Sequence, residues 1–233
     1  MDMTQHSLVA DVATAMPATV RIFQEHHIDF CCGGKRPLAE ACQEQGLDVD
    51  ALLGELRAAA ALTDAERDWR QAPMSDLIAY IQGRFHGPLR AELPRLGQML
   101  VKVVSRHGDR FPATLLPLQQ TFNALHVELL HHMKKEDDIL FPAIQDVESG
   151  RGGGHAGWIE QPIEVMEEEH DQAGAALARM RELTGGYAPP ADACPTFRGL
   201  YYGLAELERE MHVHIHLENN ILFPRAASVA RSR

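Results

Sequence analysis

Apolar residues recur at three- and four-residue spacings over four long stretches of the chain, a period that predicts helices. The first stretch runs from Met74 to Arg106, with Leu77, Ile78, Ile81, Phe85 and Leu89 on one stripe, and the turn His107-Gly108-Asp109 ends it. The second runs from Ala113 to Val147, the third from Pro162 to Leu183, and the fourth from Thr196 to Ala227. A glycine-rich loop, Ser149 to Gly157, separates the second from the third, and Gly185-Gly186 with Pro189-Pro190 close the third. Four such helices with short connections predict an all-α fold, an antiparallel up-down four-helix bundle over residues 74–233. Ahead of it, residues 1–62 read as a small helical module centred on the turn Asp29-Phe30-Cys31-Cys32-Gly33-Gly34. Pro37 is expected at the first position of the helix that follows. Residues 63–73 are polar and read as a linker.

Charge and composition narrow the function. The formal net charge is -11, and no basic cluster with interleaved aromatics is present, which argues against nucleic acid and anionic membranes as partners. No stretch is long and apolar enough to span a membrane, and Met1 to Ala10 lacks the apolar core of a signal peptide, so a soluble cytoplasmic protein is expected. Cys31, Cys32, Cys42 and Cys194 form neither a secreted disulfide framework nor a CxxC zinc pair. The anomalous count is 13 histidines.

Those histidines sit in a repeat. His132-Met-Lys-Lys-Glu136-Asp-Asp-Ile-Leu-Phe-Pro142 recurs 82 residues later as His214-Ile-His-Leu-Glu218-Asn-Asn-Ile-Leu-Phe-Pro224. Glu128 and Glu210 each lie four residues before the histidine, so both helices present E-x-x-x-H-x-x-x-E along one face. The partner helices repeat as well, with His86 46 residues before His132 and His170 44 before His214. In an antiparallel hairpin His86 lies ~18 Å from its helix start and His132 ~21 Å from its helix end, with ~12 and ~18 Å for His170 and His214. All four therefore belong to one layer. His107 lies ~30 Å along the helix from His86 and is left out of the set. His126, His131, His212 and His216 point elsewhere.

Four imidazoles and two carboxylates are a borderline-hard donor set, suited to Fe, Mn or Zn. Each glutamate can bridge two metals while each metal keeps two histidines. With an oxo or hydroxo bridge, each metal retains an open position for O2 or NO. Glu128, Glu169 and Glu210 are candidates to hold the distal ring nitrogens, and otherwise are polar bundle residues. A single His/Glu pair at this spacing is usually a solvated surface pair. Two pairs in matched eleven-residue contexts, with matched partner histidines, point to metal. Leu140, Phe141, Leu222 and Phe223 read as core, and Pro142 and Pro224 are expected to bend or end their helices.

His86, His132-x-x-x-Glu136, His170 and His214-x-x-x-Glu218 resemble the hemerythrin-like di-iron bundle. The Asp29-Phe-Cys-Cys-Gly-Gly-Lys35 module, with Asp68-Trp69 after it, resembles the N-terminal part of the repair-of-iron-centres family. Nearly the whole chain is covered. The resemblance implies two bridged irons, and a role in repairing iron–sulfur clusters damaged by nitric oxide or oxidants by binding NO and supplying iron. It implies NO or O2 as small ligands and damaged iron–sulfur proteins as clients, and it leaves room for a homodimer. NO reduction to N2O by a di-iron enzyme, or plain O2 or NO sequestration, are the alternatives. The chain departs from the pattern in an extra histidine, His216, and in the glycine-rich loop.

Cys31 and Cys32 precede two glycines, which are expected to take positive φ and expose the thiols. A strained, reducible vicinal disulfide, transient iron holding, closure of the entrance to the bundle, or simple packing are all open on the residues alone; the resemblance favours a redox or iron-transfer pair. Cys42 is expected in the core, and Cys194, beside Pro195, is expected to be incidental.

Overall fold

The computed structural model describes residues 3–61, 68–151 and 158–232. Residues 63–67 of the linker and most of the glycine-rich loop therefore lie outside the described residues. Among the described residues every regular element is helical: α1 (Val9–Ala15), α2 (Val20–Glu25), α3 (Leu38–Gln45), α4 (Val49–Ala61), α5 (Met74–Ile81), α6 (Gly87–His107), α7 (Pro112–Lys135), α8 (Phe141–Glu148), α9 (Glu160–Leu183), α10 (Pro195–Leu217) and α11 (Phe223–Arg231). The all-α expectation holds, with long helices making the bundle and short ones the N-terminal part. Pro37 sits one residue earlier than expected, in extended conformation just ahead of α3, because its ring and the missing N–H suit the turn into the helix equally well.

The prolines of the repeat neither end their helices nor leave them regular. Among the described residues, three π turns each join a long helix end to end with a short one, over Gln82–His86, Glu136–Leu140 and Glu218–Leu222. In each, an N–H reaches back five residues: Gly87 to the Gln82 carbonyl, Phe141 to Glu136 and Phe223 to Glu218. A proline follows directly every time, at Pro88, Pro142 and Pro224. Proline lacks the N–H for a regular turn and its ring crowds the carbonyl four residues back. Widening the preceding turn relieves both, and π turns of this kind recur at functional sites.

The described chain divides into two compact units. One comprises Ala79–Ala143 and Gln161–Met211. Its interior is a column of leucines and aromatics from the long helices, among them Leu93, Leu96, Leu118, Phe122, Leu177 and Leu204, all fully buried. The other comprises Met1–Ile78, Ile144–Glu160 and His212–Arg233. Val9, Val12, Phe23, Phe30, Leu38, Cys42 and Leu56 form its core. Its chain ends are tied by Arg225, which donates to the carbonyls of Trp69 and Ala72, and by Glu148, which accepts from the first N–H groups of α5. Leu140, Phe141, Leu222 and Phe223 are buried, as their pattern predicts. No described helix is long and apolar enough to cross a membrane.

Candidate metal centre

Six polar residues that water would normally claim are instead at most 4% exposed: His86, His132, Glu136, His170, His214 and Glu218. The π turns place three of them, since His86 closes the first turn while Glu136 and Glu218 open the second and third. His132 and His214 lie one α-helical turn earlier, and His170 stands mid-way along the uninterrupted α9.

The donor atoms converge. Glu136 Oε2 lies 3.4 Å from His86 Nε2 and 3.3 Å from His132 Nε2. The Nε2 atoms of His132 and His170 face each other at 2.9 Å. His214 Nε2 lies 2.9 Å from Glu218 Oε1. Two four-donor sets result, His86–Glu136–His214–Glu218 and His132–Glu136–His170–Glu218, each with its ligand atoms within 4.8 Å of one another. Both glutamates belong to both sets. The histidines pair across the repeat, so each set takes its two imidazoles from different hairpins of the sequence.

The protonation pattern fits a metal. His86 Nδ1 donates to Asp137 Oδ1 at 2.9 Å, and His132 Nδ1 donates to Glu169 Oε2 at 2.8 Å. A carboxylate only accepts, so it assigns the proton to Nδ1 and leaves the Nε2 lone pair facing inward. Ligands ~2.1 Å from a cation and at right angles lie ~3 Å apart, the spacing seen between these donors. A buried carboxylate that stays ionised also needs a compensating cation.

Cations back the two orienting carboxylates. Asp137 accepts from Gln82 at 2.9 Å and from Arg90, while Glu169 accepts from Lys135. Burial pushes the Asp137 carboxyl upward, but the hydrogen bonds from His86, Gln82 and Arg90 outweigh it and hold it well below the ordinary range. Glu169 is likewise pushed up by burial, yet is held down by Lys135 and His132. The ring of Phe141 stacks on His86 at 5.6 Å and walls that imidazole off.

Of the remaining sequence candidates, Glu128 is exposed, and Glu210 pairs with Arg84 at the surface. Asp137 carries no signal of its own in the sequence, because only the tertiary fold decides which imidazole its helix faces. His107 lies against Cys194, with Nε2 3.5 Å from Sγ. Cys42 is buried.

The thiol turn departs from expectation. Gly33 and Gly34 do not adopt positive φ. They are needed for closeness instead: a Cβ on Gly34 would meet the Phe30 carbonyl at 2.7 Å and the Ala10 Cβ at 2.8 Å. Cys31 is buried rather than exposed, and Cys32 is half-buried. Their sulfurs lie 3.8 Å apart as thiols. The Cys31 thiol is pushed well up, first by its hydrogen bond with Cys32 and then by burial.

Comparison with known proteins agrees with this geometry. Residues 77–226 match the family described as "Hemerythrin HHE cation binding domain". Residues 5–60 match one described as "Domain of Unknown function (DUF542)". The chain is 43% identical over 218 residues to "Iron-sulfur cluster repair protein YtfE" of Pectobacterium atrosepticum, covering 94% of this chain and 95% of that one. It is 43% identical over 226 residues to the protein of the same name from Yersinia pseudotuberculosis, covering 97% and 98%. Likeness at that level along nearly the full length, with a cation-binding domain whose donor sets are intact, makes this chain a member of the iron–sulfur cluster repair protein family.

Proposed function

We propose that this chain holds two irons and uses them to repair iron–sulfur clusters damaged by nitrosative or oxidative stress, binding NO and supplying iron. The observation that carries the reading is the pair of buried donor sets sharing Glu136 and Glu218. A nitrogen-and-oxygen donor set without thiolate suits iron over copper(I) or an iron–sulfur cluster. The similar chains bear the name of iron–sulfur cluster repair proteins, which supports damaged iron–sulfur proteins as clients.

A bound di-iron pair would supply open coordination for NO or O2 and metal for transfer. The chain supplies the rest. Glu136 and Glu218, which belong to both donor sets, would hold both irons. Asp137 and Glu169 fix the rings of His86 and His132, and so keep two lone pairs aimed inward. Phe141 and the leucine column exclude water, which strengthens each carboxylate's hold on a cation. Glu169 and Lys135 are partly exposed, so this side of the donor layer borders solvent.

The test is transfer. The reduced, iron-loaded protein is mixed anaerobically with an apo iron–sulfur protein, and cluster rebuilding is followed by absorbance and acceptor activity. Iron should move from this chain to the acceptor. Full retention of iron by the chain, with the acceptor left apo, would refute donation.

A further inference from the structure

The two copies of the repeat differ where no metal donor lies. Lys134 and Asp138 of the first copy pair with each other at the surface. Their counterparts in the second copy are His216 and Asn220. His216 is buried, and its Nδ1 lies 3.2 Å from the Phe30 carbonyl oxygen. The Asn220 amide donates to the carbonyls of Phe30 at 3.3 Å and Cys31 at 3.0 Å. An aspartate in that place could only accept, so it would repel both carbonyls. The change from acid to amide is what this contact requires.

The far side of the same turn is held as firmly. Asp29 accepts the N–H groups of Cys31 and Cys32, each at 3.0 Å, and of Gly33 at 2.9 Å. Phe30 is fully buried, stacked on Phe23 at 6.2 Å and edge-on to His216 at 5.5 Å and His212 at 6.1 Å. Asp29 therefore takes the turn's N–H groups, while His216 and Asn220 engage its carbonyls. His216 falls midway between His214 and Glu218, and Asn220 two residues beyond Glu218. The thiol turn is thus bonded to the very segment that carries two metal donors.

We infer that His216 and Asn220 are positioning residues: they register the Cys31–Cys32 thiols on the helix bearing His214 and Glu218, so that the thiol pair takes part in moving iron from the centre. The inference rests on the repair reading for its transfer step, while the registration itself can be tested apart from it.

The experiment uses the iron-loaded full chain and Asn220→Leu, which keeps the shape without the donors and adds no charge. Iron content and the absorption spectrum of the oxidised centre are measured first. Alkylation of Cys31 and Cys32 by iodoacetamide is then timed by peptide mass spectrometry, and iron transfer to an apo iron–sulfur protein is timed alongside. Asn220→Leu should hold wild-type iron, label Cys31 about 10-fold faster or more through loss of two hydrogen bonds, and transfer iron more slowly. His216→Asn, which keeps a donor at the Nδ1 position, should behave as wild type, whereas His216→Leu should follow Asn220→Leu. Should Asn220→Leu not fold, Asn220→Ala takes its place. Unchanged labelling overturns the registration. Faster labelling with wild-type transfer overturns the part given to the thiols. If the wild type transfers no iron at all, the repair reading fails, and labelling alone still decides whether the clamp exists.

Discussion

Asp137→Asn isolates one donor set. Asp137 accepts from three groups, the His86 ring, the Gln82 amide and Arg90. Asparagine offers one acceptor oxygen, and its NH2 would face at least one of those donors. Either His86 loses the group that fixes its Nδ1 proton, or the ring changes tautomer and turns an N–H toward the metal position. Loss of such an orienting partner costs ~10–100-fold in metal affinity, or ~1.4–2.7 kcal/mol. The cost should fall on the set containing His86 and His214, since His132 is held separately by Glu169. The assay is equilibrium competition: iron retained per chain is measured against a graded series of chelator concentrations, with circular dichroism as the folding control. Wild type should retain both irons to a higher chelator level, and Asp137→Asn should shed one of them at a level ~10–100-fold lower. A retention curve that overlays the wild type would refute the claim that Asp137 orients His86.

Glu218→Ala should remove both irons and His170→Ala chiefly one, because the glutamate belongs to both sets and the histidine to one; metal analysis after desalting separates the two outcomes. Gly34→Ala should destabilise by ~1–3 kcal/mol, since the new Cβ would press on the Phe30 carbonyl. Gly54→Ala, in α4 with open space around its Cβ, should instead stabilise by up to ~1 kcal/mol, and urea unfolding of both variants checks the contrast. Burial raises the Glu208 carboxyl, against the opposing pull of Arg181 and Tyr187. A raised carboxyl favours the protonated fold, so its contribution is greatest below the unfolded value of about 4.3 and is lost as pH rises through the folded value. Glu208→Gln should therefore melt higher relative to wild type at pH 7 than at pH 5; a pH-independent difference between the two melting curves would contradict this.

Much of this protein was legible in its residues. Helical period, turn glycines and the repeated His-x-x-x-Glu element are local properties of a chain, because side chains four apart share a helix face whatever surrounds them. They sufficed for an all-α bundle and for naming the six side chains that the fold brings together. Three matters depended on contacts between segments far apart in sequence. Which imidazoles share a set was one, since that follows from how helices face each other and not from the order in which they occur. The choice of Asp137 and Glu169 over Glu128 and Glu210 as ring partners was another: all four are acidic residues on ligand-bearing helices, but only two face an imidazole. The last was the thiol turn, whose glycines look like torsional hinges in sequence but serve close packing, and whose carbonyls find donors 186 to 190 residues away. Periodicity reports the face a residue occupies on its own helix; what lies opposite that face is known only once the helices have packed.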